Sequence, residues 1–236
     1  MTPSTSRRGS KVPSALSGPL STVRYDINGV RFDMVRVPPG RFIDGEDETR
    51  RELLVSRPFE IGVTPVTQAL WRAVMRSSPS KFPGEDRPVE KVSWDDVQQL
   101  MVALAQRGLP GFRLPTEAEW AWAARCGVST RWAGADRVRA AAVVGSKQTA
   151  VVAGLSGAAV GAFDFSGNVL EWMSDRYGWA PSAGIDAQGP ASGSSRVVRG
   201  GSWDYDPQST RVALRDVIIH GLRDFNLGVR LLRAAR

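Results

Sequence analysis

The sequence predicts an α+β domain in which two or three helices surround a small, twisted, mostly antiparallel sheet, with much irregular chain between them. Two capped stretches carry apolar residues at helical spacing and a third alternates apolar with polar residues at strand spacing. The remainder is punctuated by many of the chain's 24 glycines and 15 prolines. No repeat of roughly 20–50 residues appears, which removes solenoids and propellers. A chain of 236 residues can bury one substantial core without metal or disulfide support.

Residues 1–22, MTPSTSRRGSKVPSALSGPLST, mix Ser, Thr, Pro and Arg and predict a flexible tail ahead of a single domain over 23–236. They lack the apolar run of a signal peptide, and no later stretch approaches the roughly 20 apolar residues of a membrane span. A cytoplasmic, monomeric protein with no membrane partner is therefore the expectation. Residues 31–37 alternate, and the turn at Pro38, Pro39 and Gly40 predicts a hairpin with 41–44. Pro65 and Thr67 introduce a helix running to Met75, with Leu70, Trp71 and Val74 on one face. Ser93 and Asp96 form a capping pair that opens the apolar stripe Trp94, Val97, Leu100, Met101 and Leu104, which Gly108 and Pro110 end. Thr116 and Glu119 cap a third helix holding Trp120 and Trp122. Residues 126–162 have no clean period and are predicted to be mostly loop.

The net charge is +7, and the arginines are scattered along the chain rather than clustered on one helix or aromatic platform. Nucleic-acid binding is disfavoured on that ground. Cys126 is the single cysteine and His220 the single histidine. A disulfide, a tetrahedral zinc site and a Cys-His nucleophile all need more than this pair supplies. A small buried structural residue is the expected role of Cys126.

Four runs, FRLPTEAEWAWAARCG (112–127), DFSGNVLEW (164–172), RVVRGGSW (196–203) and NLGVRL (226–231), resemble the formylglycine-generating-enzyme-like, or sulfatase-modifying-factor, family. PVTQALWRAVM (65–75) and RPVEKVSWDDV (87–97) extend the likeness in the family's order over roughly 30–232. The resemblance implies the C-type lectin fold of that family. It also implies calcium near GNVLEW, with Asn168 and Glu171 as candidate ligands, although two oxygen-bearing side chains fall short of the six to eight that calcium takes. The alternative for these two is a hydrogen-bond network that organises the loop, and no other cofactor is required.

Between the last two runs the family carries its copper-binding cysteine pair, and 204–225 contains no cysteine. The implied reading is a non-enzymatic member that binds a ligand. Pro207, Arg211, Ala213, Arg215 and Arg223 keep the family's frame, while the positions between them hold chemically miscellaneous residues. Such a pattern is similar to the variable proteins of diversity-generating retroelements, which rewrite adenine-containing codons in a carboxy-terminal region. Randomising the adenines of an AAC codon cannot yield Lys, Glu, Gln, Met or Trp. Over 204–226 only Gln208 belongs to that set, where average composition gives about three.

The candidate ligand-binding residues, within a variable region at 204–226, are Asp204, Tyr205, Asp206, Ser209, Leu214, Asp216, Val217, Ile218, Ile219, His220, Leu222, Asp224 and Phe225. The target they imply is unidentified, a protein with basic or hydrogen-bond-donor character. An alternative makes Val217, Ile218 and Ile219 a buried strand. Two other functions stay open: an oxidoreductase-like family member, and an interaction domain whose segment is not diversified.

Overall fold

The computed structural model describes residues 20–235. The tail expected over 1–22 therefore falls almost wholly outside the described residues. Leu20 packs against the core and Thr22 already opens a strand.

The largest sheet has five strands in the order β1 (Thr22–Ile27), β2 (Val30–Val37), β5 (Phe59–Gly62), β14 (Leu232–Ala234), β6 (Phe112–Arg113). Asn28 and Gly29, at φ 53° and 83°, make the two-residue turn between β1 and β2. Both residue types tolerate the positive φ that such a hairpin demands. The hairpin expected between 31–37 and 41–44 is absent: β2 pairs with β1 and β5 instead. Pro38 and Pro39 are the physical reason, since neither can donate to a ladder and both hold the chain extended. They carry it out of the first sheet into β3 (Gly40–Asp44), which pairs with β4 (Arg51–Val55). Gly40 is required there, because a Cβ would lie 2.0 Å from the Trp122 ring.

β10 (Gly184–Ile185) runs parallel to β4 and completes a three-stranded sheet. A four-stranded sheet has the order β12 (Arg215–Ile219), β11 (Ser195–Arg199), β9 (Leu170–Arg176), β13 (Leu227–Gly228). The α+β class stands, with the β structure divided among several small sheets. Within 126–162 the chain is largely loop, apart from α4 (Val138–Ala141) and β7 (Ala142–Val143), which pairs with β8 (Ser166–Gly167).

The three longer helices form where their caps place them. In α1 (Gln68–Met75) the Thr67 hydroxyl accepts from the Leu70 amide. α2 (Trp94–Gln106) and α3 (Glu117–Arg125) each open on a reciprocal capping box, Ser93 with Asp96 and Thr116 with Glu119. Each box satisfies two orphan amides and is worth about 1 kcal/mol. Leu100 and Leu104 of α2 are fully buried against Trp71 and Val74 of α1 and Met34 of β2. Each such leucine contributes about 1.5–3 kcal/mol by leaving water. α3 is covered all round: Trp120, Trp122 and Cys126 lie in a second cluster with Phe59, Phe165 and Met173. Burial pushes the Cys126 thiol up to about 12, so it stays protonated and inert at neutral pH.

Candidate recognition surface

Beneath the 204–225 segment lies a frame of buried ion pairs. Arg199, fully buried at the end of β11, donates to Glu117 at 2.9 Å, to Asp44 at 3.1 Å and to the Val212 carbonyl at 2.9 Å. Arg51 reaches both carboxylates at 3.0 Å, and Arg215 makes two bonds to Glu117. Burial opposes ionisation of Asp44 and Glu117, but the surrounding arginines outweigh it and hold both carboxyls below their usual range. Next to this cluster, Gly200 and Gly201 adopt φ of 95° and 66°. A Cβ on Gly201 would stand 2.8 Å from the Ser209 carbonyl, so the segment packs against bare backbone.

The frame arginines hold the segment in place. Arg211 pairs with Glu46 at 3.3 Å, Arg215 with Glu117, and Arg223 donates to both oxygens of Asp96 at 2.6 and 2.7 Å. Trp203, also buried, donates its indole N–H to the Phe225 carbonyl. Between these anchors, none of the thirteen candidate residues is buried.

They fall into three groups. Tyr205, Ser209, Leu214 and Asp216 converge with Gly200 and Gly201 on a cavity of about 170 Å³. The Tyr205 hydroxyl donates to Asp216 at 3.0 Å, and burial, with the Asp216 charge, pushes this phenol well above its usual range. Val217, Ile219, His220 and Leu222 form an exposed group, with Ile219 59% accessible. The run Val217, Ile218, Ile219 is a strand, as the alternative reading held, but an edge strand. Ile218 turns inward toward Tyr205 while its two neighbours face outward. The remaining residues support the segment as well as line it. Asp204 accepts from Ser202 and Asn226, Asp206 caps the turn at Pro207–Thr210, and Asp224 accepts from the Phe225 amide. Phe225 stacks near Trp203 with ring centroids 5.8 Å apart.

Residues outside the segment extend this surface, and no local pattern marks them. His220 Nδ1 sits 2.8 Å from Asp95, Lys81 lies over the Phe225 ring at 4.5 Å, and the Arg196 guanidinium lies 3.7 Å over Trp94. Trp94 was expected in the buried stripe of α2 but is only half-buried, its indole N–H on the Met173 carbonyl. Trp179 is 91% exposed beside Tyr177, whose ring lies under Arg215.

In the structure the side chains of Asn168 and Glu171, the candidate calcium ligands, are both engaged by protein groups. The Asn168 amide is closed on the backbone of Ala150, accepting its N–H at 3.0 Å and donating to its carbonyl. Both Glu171 oxygens accept from Arg230, and one also from the Trp120 indole at 2.7 Å. These bonds tie Asn168 and Glu171 into a hydrogen-bond network of the loop. Among the described residues, no three His, Cys, Asp or Glu side chains are grouped to hold a metal. No helix among them is long and apolar enough to cross a membrane.

The sulfatase-modifying factor enzyme 1-like domain matches residues 29–235. The formylglycine-generating enzyme of Streptomyces coelicolor is 34% identical over 169 residues, covering 61% of this chain and 52% of its own. The chain spans about half the length of the curated relatives it matches. Among solved structures, Treponema denticola variable protein 1 superposes with a TM-score of 0.84 at 30% identity, over 91% of this chain and 99% of that one. PvdO from Pseudomonas aeruginosa shares the fold at 22% identity, with a TM-score of 0.75 over 86% of this chain and 94% of its own. The motifs, the buried frame and these likenesses agree: the chain belongs to the family of sulfatase-modifying factor enzyme 1-like domains.

Proposed function

We propose that this protein is a non-catalytic binding domain that presents 204–225 as a diversified recognition surface, in the manner of a retroelement variable protein. The observation that carries the reading is the contrast along the segment. Arg211, Arg215 and Arg223 are tied to carboxylates on other elements, while the thirteen residues around them all retain access to solvent. Support also comes from the likeness to the Treponema denticola variable protein and from the lack of any cysteine in 204–225.

The target we propose is a protein, bound by a monomer without a cofactor. A cavity of about 170 Å³ is smaller than the several hundred Å³ that enclose a small organic ligand, so it accommodates one projecting side chain. The exposed side chains of Val217 and Ile219 beside Asp216 and Asp224 suit an apolar contact rimmed by basic groups. A frame held by ion pairs loses little conformational entropy on association, which favours affinity.

The decisive test is genomic. A reverse-transcriptase gene and an adenine-rich near-copy of the 3′ coding segment are expected beside the gene; their absence would leave an undiversified binding domain. The competing reading, an oxidoreductase with altered chemistry, is supported by the relatives named formylglycine-generating enzymes. It is checked by incubating the protein with copper and a cysteine-containing peptide. Oxygen uptake at the level of the peptide-free blank is expected, and uptake above it removes the non-catalytic reading.

A further inference from the structure

A second concavity, of about 700 Å³, opens between the β3–β4 turn and the C-terminal end of α3. One side is cationic: Arg41, Arg50, Arg125, Arg131 and Arg211 line it, against only two carboxylates, Glu46 and Asp47. The other side is apolar, made by Phe42, Ile43, Trp122 and Val128. Arg41 is engaged by Glu52 at 2.8 Å, while the other guanidiniums make longer ion pairs or none. Arg211 meets Glu46 at 3.3 Å and Arg125 meets Asp44 at 3.5 Å, while Arg50 and Arg131 make no ion pair among the described residues. The Nε–H of Arg211 is buried without a hydrogen-bond partner, and that of Arg125 faces only Asp44, at a distance too long for a good hydrogen bond. An orphaned buried donor costs about 1–3 kcal/mol and is stable chiefly where an acceptor completes it.

The charge behind the cleft points the same way. Arg125 belongs to the buried cluster in which Asp44 and Glu117 face four arginines, Arg51, Arg125, Arg199 and Arg215. Burial, together with the like charge of Arg199, pushes the Arg125 guanidinium below its ordinary value despite Asp44. Surplus positive charge in a partly dry wall is relieved by an anion. Guanidiniums present paired donors that match phosphate oxygens, and an apolar wall beside them accommodates the group that carries the phosphate.

We propose that this cleft binds a phosphomonoester of a small apolar molecule, at a site that shares Arg211 with the 204–225 segment but none of the thirteen candidate recognition residues. Arg125 and Arg211 would donate from the base of the cleft and Arg50 and Arg131 from its rim.

Phenyl phosphate is the probe, titrated into the full chain at constant ionic strength and followed by calorimetry and by the arginine Nε–H signals in NMR. Saturable binding is expected, at least about tenfold tighter than inorganic phosphate and tighter than phenyl sulfate, whose single charge matches the arginines less well. The Arg50→Ala/Arg131→Ala double variant, altered only at exposed side chains, is expected to lose about tenfold or more in affinity. Arg107→Ala, at the end of α2 and outside the cleft, should bind as the parent does. Absence of saturable binding, equal affinity for inorganic phosphate, or undiminished binding by the double variant would each overturn the proposal.

Discussion

Val197 and Val217 face each other across the β11–β12 ladder, identical residues in one register. The first is fully buried and the second is 41% exposed. β11 is interior to its sheet and covered by the core around Val212 and Met173, whereas β12 is the edge strand with solvent beyond it. Exposure is thus decided by what covers a position and not by its residue type. Neighbouring strands differ in what they carry, one anchoring Arg199 in the ionic frame and the other turning the proposed recognition residues outward. The exposed edge is itself guarded, since the Val217 amide is taken up by the Asp216 carboxylate at 2.7 Å.

If the frame is what keeps the segment in place, breaking it should have the largest consequence. Arg199→Ala takes the fully buried arginine away from Asp44 and Glu117 and is expected to cost about 3–5 kcal/mol in chemical denaturation; a cost below 1 kcal/mol, roughly, would remove the frame from the account. Asp44→Asn tests the same idea through pH. The folded carboxyl titrates below its unfolded value, so its contribution is complete above the unfolded value and is lost as pH falls through the folded one. Parent and Asp44→Asn should therefore differ most near neutral pH and converge as the solution is acidified below about pH 4; a gap that stays constant breaks the linkage.

On the exposed side the expected pattern reverses. Val217→Asp and Ile219→Asp should leave unfolding free energy within about 0.5 kcal/mol of the parent, because neither side chain fills a core. Once a target is captured, the same changes should weaken its binding by about tenfold or more. Equal losses of stability and binding would erase the distinction between the strands. Tyr205→Phe sharpens the boundary, since Tyr205 lies half-buried between frame and surface. Loss of its bond to Asp216 should cost about 1 kcal/mol, read as a small drop in the denaturation midpoint.

Much of the fold was legible locally. The Thr67, Ser93 and Thr116 caps start α1, α2 and α3 where their spacing says, because a cap and its partner amide lie three residues apart. Asn28-Gly29 carried an equally local hairpin signal, which the Pro38-Pro39 turn obscured; the prolines mark a change of sheet. The frame of the segment was readable from its arginines, but their partners were not. Glu46, Asp96 and Glu117 are ordinary acids in sequence until folding brings them near.

By itself the sequence determined the α+β class, the helix starts, the presence of a single cysteine and the absence of a thiol pair after Trp203, all of which depend on residue type or on neighbours a few positions away. Only the tertiary structure decided that Glu171 pairs with Arg230 and that Ile218 turns in while Ile219 turns out. It alone set five arginines around one cleft. Burial and ion pairing depend on distance in space, and Arg199 meets Asp44 across 155 positions of chain. No periodicity or spacing rule reaches that far.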